Sequence, residues 1–197
     1  MKDITNNEMM FVLKVFKSPE IQHNANSLAK LIGISRMGAL KIAGKLEKDR
    51  IISHKTIGKT KFYRLNMEND YARQYVKFLL KREAEQVNPY VRIWIEDIRS
   101  IKNADAAVLF GSVLTKHKEA RDVDLILIAD NKRIRKLERE IGAIEGIATK
   151  RIHAVYMAKG DLEDNIKKGN EAMTDAIKGI VVFGEDIIIK AIMELHK

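Results

Sequence analysis

Apolar positions Met9, Val12, Leu13 and Phe16 recur at helical intervals behind Thr5-Asn6-Asn7-Glu8, which has the spacing of a capping box. A first helix is therefore expected to run to about Lys17, where Ser18-Pro19 stops it. Ser27 is placed to cap a short helix carrying Leu28, Leu31 and Ile32, Gly33-Ile34-Ser35 makes a turn, and Ser35 caps a third helix from Arg36 to about Asp49. Met37, Leu40, Ile42, Ala43 and Leu46 are expected to form the buried side of that helix. The period then changes. Ile51–Thr56 reads as a strand, Ile57-Gly58-Lys59 as a tight turn and Thr60–Leu65 as the returning strand.

A helix from Asn69 or Asp70 to about Glu85 follows, and Asn88-Pro89 opens another with Tyr90, Val91, Trp94, Ile98 and Ile101 as its apolar stripe. Beyond residue 105 short apolar runs alternate with charged helical stretches. Strands are expected at Ala106–Phe110, Asp122–Ala129, Arg151–Met157 and Ile180–Phe183. Helices are expected at about Lys132–Ile144, Asp161–Lys168 and Glu171–Lys178, with a last one from about Glu185. The fold class is α+β, in two domains. Residues 1–66 form the first, residues 67–87 a linking helix, and residues 88–197 a mixed sheet with helices.

Charge supports that division. Residues 1–66 hold 13 Lys and Arg against 5 Asp and Glu, so nearly all of the chain's net +9 lies in its first third. A basic domain of this kind suits a polyanionic partner. The 197 residues include no cysteine, which excludes disulfides, zinc–thiolate sites and a cysteine nucleophile. No apolar run approaches the roughly 20 residues that a membrane span requires, and a cytoplasmic protein without membrane contact is expected.

Three helices and a hairpin in this order, with a short glycine-containing turn between the second and third helices, resemble a winged helix-turn-helix over residues 4–66. In that family the third helix enters the major groove of double-stranded DNA and the hairpin wing lies along the backbone. The resemblance implies that Arg36, Lys41, Lys45 and Lys48 on the third helix, and Lys55, Lys59 and Lys61 on the wing, contact nucleic acid.

The most informative motif lies further on. Val108-Leu109-Phe110-Gly111-Ser112 reads as a strand ending in a Gly-Ser turn, and Asp122-Val123-Asp124 opens the next strand. Alternate strand residues share a face, so the two aspartates point together while Val123 points into the core. Paired carboxylates beside a Gly-Ser turn suit a divalent cation carrying a phosphorylated ligand. This pairing is similar to the signature of the nucleotidyltransferase superfamily that includes DNA polymerase beta, over about residues 88–184, and Gly179–Glu185 resembles a segment near the end of its small members.

The resemblance implies that Gly111 and Ser112 bind the triphosphate, and that Asp122 and Asp124 hold Mg²⁺ and are catalytic. Lys116, Lys118 and Arg121 could add positive charge near the phosphates. One position departs from the pattern. The third carboxylate expected on the following strand is missing from Arg151–Met157, and His153 stands in its place.

Two functions follow. One is Mg²⁺-dependent transfer of a nucleoside monophosphate, AMP being expected, from a nucleoside triphosphate such as ATP to a hydroxyl acceptor. The other is a DNA-binding transcriptional regulator with a catalytically degenerate nucleotidyltransferase fold, in which an antitoxin-like role would bring in a partner protein.

Overall fold

The computed structural model describes residues 4–194, which fall into two compact units with the division between Leu79 and Leu80. In the first unit, α1 (Asn6–Lys17) opens on the expected capping box: Thr5 Oγ1 accepts the Glu8 amide at 3.2 Å and the Glu8 carboxylate accepts the Thr5 amide at 2.9 Å. A two-residue strand follows, β1 (His23–Asn24), before α2 (Ala25–Ile32). The α2 cap is Asn24 rather than Ser27. Asn24 Oδ1 accepts the Asn26 and Ser27 amides, and Ser27 Oγ reciprocates from the third helical position by accepting the Asn24 amide.

Gly33, at φ 72°, ends α2, and Ser35 caps α3 (Arg36–Lys48) by accepting the Gly38 amide at 3.0 Å. β2 (Ile52–Ile57) and β3 (Thr60–Leu65) form the hairpin, and the antiparallel sheet has the order β1-β3-β2. This element order and sheet are those of a winged helix. Phe11, Phe16, Leu28 and Leu46 are fully buried, and the Phe11 ring meets Tyr63 of β3 at 5.8 Å. Truncating either phenylalanine to alanine would cost about 3–5 kcal/mol.

α4 (Asp70–Glu85) carries the chain across the division. In the second unit α5 (Pro89–Arg99) starts at Asn88, whose side chain accepts the Tyr90 amide at 2.9 Å. The sheet has the order β6-β5-β4-β7, formed by β4 (Ala106–Phe110), β5 (Asp122–Ile128), β6 (Arg151–Met157) and β7 (Ile180–Phe183). β4 runs antiparallel to β5 and β7, while β5 and β6 are parallel and are joined through α7 (Ile134–Glu145). A short α6 (Val113–Lys116) and a 3₁₀ turn at His117–Glu119 lie between β4 and β5.

On one sheet face Leu109, Leu125 and Leu127 pack in a single core with Trp94 and Ile98 of α5 and Leu137 of α7. α9 (Glu171–Ile177) and α10 (Glu185–Glu194) contact β4, and α8 (Lys159–Lys167) packs on α10. Val108, Ile126 and Ile128, whose alternation places them on the other sheet face, are completely buried. Asp122 and Asp124 share that face by register but are only half-buried, and their β6 partners Arg151 and His153 are exposed. The open end of this face is where the candidate chemistry lies. Among the described residues no helix is long and apolar enough to cross a membrane.

His23 is the least expected core residue. It is 1% exposed, it faces Tyr63 across the sheet, and neither ring nitrogen completes a hydrogen bond. Burial holds its pKa below the ordinary histidine value, with the Glu20 carboxylate and the Ser18 backbone pulling the other way. The unfolded chain therefore takes up the proton more readily than the folded one. Stability is complete above the unfolded-state value of about 6.5 and falls as the pH drops below it, by at most about 1.4 kcal/mol per pH unit. Thermal unfolding at pH 7.5 and pH 5.5 should show this loss, and His23→Leu should reduce the difference.

Candidate functional site

The carboxylate site is built by strand register. Phe110, the last residue of β4, lies opposite Asp124, and Asp124 lies opposite His153. Immediately after Phe110 the chain turns at Gly111 with φ 78°, a conformation that L side chains seldom adopt. A Cβ at this position would lie 2.0 Å from Asp124 Oδ2, so Gly111 is required both by its backbone and by contact with the carboxylate. The motif read as Gly-Ser and Asp-X-Asp is thus a packed unit, in which the glycine makes room for the second aspartate.

Ser112 starts α6. Its carbonyl accepts the Lys116 amide at 2.7 Å and the Thr115 amide at 3.1 Å, while its hydroxyl makes no capping bond to α6. Burial, followed by repulsion from Asp122, raises the Asp124 pKa above the ordinary carboxylate value; His153, with Nδ1 3.8 Å from Asp124 Oδ1, works against both. Asp122 therefore stands close enough to oppose the ionisation of Asp124, which a cation would relieve. Mg²⁺ is usually held by one or two carboxylates together with waters and phosphate oxygens, and this donor pair fits that pattern.

Among the described residues no cluster of three or more His, Asp or Glu side chains is gathered to hold a metal ion. The acids after β6 serve the fold. Asp161 accepts the Ala158 amide at the start of α8, and Glu163 pairs with Lys190 at 3.1 Å. Lys116, Lys118 and Arg121 are exposed along the β4–β5 connection.

A residue that no sequence pattern marked holds this connection in place. Lys150 Nζ donates to the Lys118 carbonyl at 2.9 Å and also to the Ala120 carbonyl. Glu145 accepts the Ile152 amide at 2.7 Å and so anchors the start of β6 beside Asp122.

The basic residues of the first unit separate into distinct groups. Arg36 of α3, Lys59 of the hairpin turn and Lys61 of β3 line one cleft of about 230 Å³ with Asn24, Asn26, Leu40 and Tyr63, and no carboxylate lines it. Lys41 and Lys48 are exposed on α3. Lys45 differs, because its ammonium pairs with Glu8 of α1. Burial pushes the Glu8 carboxyl up, but Lys45 and the Thr5 bonds outweigh it and hold the pKa below the ordinary value. Lys55 lies opposite Phe62 in the hairpin and lines a different cavity, with Phe62, Arg64 and Val15 of α1. Met37, expected in the core, is 72% exposed; the buried positions of α3 are Ala39, Ala43 and Leu46.

No family model matches the chain, and no curated protein matches it. Among solved structures it is similar to the adhesin competence repressor of Streptococcus pyogenes, at 13% identity over 51% of this chain and 69% of that one, with a TM-score of 0.37. It is also similar to MepR, a transcription regulator of the Staphylococcus aureus multidrug efflux pump MepA, at 13% identity over 50% and 76% of the two chains, with a TM-score of 0.36. At these scores neither likeness assigns a role to any residue.

Replacing Gly111 with alanine should cost at least about 2 kcal/mol, from the left-handed backbone and the collision with Asp124 together. Chemical denaturation of Gly111→Ala checks this value. Asp124→Gly in the same chain removes the obstructing carboxylate, so the double variant should lose less than the sum of the two single losses.

Proposed function

We propose that this chain is a DNA-binding regulator whose winged-helix unit grips duplex DNA and whose second unit is a nucleotidyltransferase-like module that binds nucleotide. The observation that carries the proposal is the cleft lined by Arg36, Lys59 and Lys61 without an opposing acid, beside an α3 face that exposes Lys41 and Lys48. Cations from three separate sequence positions converge there. A phosphate backbone is the polyanion that matches cations spaced along a helix and a hairpin.

Fluorescence anisotropy with a labelled duplex between 50 and 200 mM salt tests the proposal. Affinity should fall steeply with salt, and Arg36→Ala or Lys61→Ala should each reduce the logarithmic slope by about 1. Lys45→Ala should lower the melting temperature through loss of the Glu8 pair and leave the slope nearly unchanged. A salt-independent interaction, or equal slopes in all variants, would overturn the assignment.

A second reading, transfer of a nucleoside monophosphate, is favoured by the packing of Gly111 against Asp124 and by the open carboxylate pair. Asp122 and Asp124 would hold Mg²⁺, which when bound neutralises triphosphate charge and orients the α-phosphorus. The turn at Gly111, packed against Asp124, would bring its backbone to the phosphates, and Ser112 would add a hydroxyl beside them. The acceptor hydroxyl must lose a proton, and β6 brings His153 toward the aspartates rather than a carboxylate. Calorimetry with ATP and Mg²⁺ should show binding that Asp124→Asn abolishes. Label from α-phosphate-labelled ATP appearing on an acceptor, lost in Asp122→Asn, would establish turnover; binding without transfer would leave the module as a nucleotide sensor.

A further inference from the structure

Met37 is exposed on α3 to an extent that folding does not explain. The helix buries Ala39, Ala43 and Leu46, so its solvent stripe runs through positions 37, 41, 44 and 48. Lys41 and Lys48 are ordinary occupants of such a stripe, and Gly44 leaves open space, with no atom within 4 Å of a Cβ built there. Met37 is an unbranched apolar side chain that is 72% exposed, the second residue of the helix, and next to Arg36. It contributes almost nothing to the core.

Its surroundings indicate what covers it. Arg36 on one side and Lys41 one turn later are cationic, and Arg36 also lines the acid-free cleft with Lys59 and Lys61. A face so charged is drawn against phosphates, and the N-terminal residues of a recognition helix are those that reach base edges in the major groove. The apolar feature that the base pairs present in that groove is the C5-methyl group of thymine. A flexible thioether chain can cover that methyl without leaving a polar base atom in need of a partner.

We propose that Met37 is a specificity-determining residue that reads a thymine methyl group at the start of α3. The inference rests on duplex binding by the winged-helix unit. Arg36, Lys59 and Lys61 supply the sequence-independent grip, and Met37 adds preference at one or two positions of the site.

The test uses the full chain and a duplex selected with it from a randomised pool. Each thymine of that duplex is replaced in turn by deoxyuridine, which removes the methyl group and nothing else. For the unaltered protein one or two replacements should weaken binding about fourfold, the factor that corresponds to a buried methylene-sized group. Met37→Ala should bind the thymine and deoxyuridine duplexes equally, with the salt slope of the unaltered protein. Met37→Leu should retain part of the discrimination.

Because Met37 is exposed, both variants should melt within a degree or two of the unaltered protein. The proposal is overturned if no deoxyuridine replacement affects the unaltered protein, or if Met37→Ala discriminates as well as it does. Failure of the unaltered protein to bind any duplex in a salt-dependent way would remove the DNA-binding assignment itself, a result distinct from binding that ignores the methyl group.

Discussion

Along β3 the residues Lys61, Tyr63 and Leu65 lie on one face, so burying Tyr63 against Phe11 also fixes the side on which Lys61 stands. The same period of two acts in the second unit. Complete burial of Ile126 and Ile128 fixes the side on which Asp122 and Asp124 emerge. Each candidate site is the polar end of a strand whose apolar end is locked into a core. A shift of register by one residue would bury the functional side chains and expose the core, so the cores keep both sites in place. No residue in either site has to be held by its own contacts alone.

The carboxylate site shows what this arrangement costs. Asp122 and Asp124 face the same way because Ile126 and Ile128 must, and partial burial, followed by repulsion from Asp122, raises the pKa of Asp124. Gly111 increases the constraint by bringing the β4 turn against the Asp124 carboxylate. Such unfavourable proximity is common where a protein handles phosphate and metal, since the same geometry that strains the unliganded protein suits a cation. In the first unit the balance is reversed. Lys45 is neutralised internally by Glu8, whereas Arg36, Lys59 and Lys61 line a cleft that contains no acid.

Much of the secondary structure was legible because it follows from local period and capping. The Thr5–Glu8 box, the Ser35 and Asn88 caps and the four strands of the second unit are all written in short stretches of sequence. What was not legible depended on partners distant in sequence. β1 is two residues long and exists only because β3 pairs with it. Met37 fits an apolar stripe as well as Leu40 does, and only the direction in which α3 meets its core distinguishes them. Lys45 and Lys55 resemble their neighbours in the sequence, but the Glu8 pair and the hairpin register separate them from the cleft. Lys150 carries no motif, because its role is to bind two backbone carbonyls thirty residues away.

The shortest strand has a consequence for how the first unit assembles and opens. The β2–β3 hairpin joins residues close in the chain, through a two-residue turn, and needs little chain entropy to form. β1 must instead close a loop of about 40 residues, from His23 to Tyr63, in return for a pairing only two residues long. That exchange is poor until α2 and α3 are in place, so β1 joins late, and by the same balance it is the part of the sheet most easily released. The third strand of the wing's sheet is therefore a latch, held by the burial of His23 more than by the length of its own pairing.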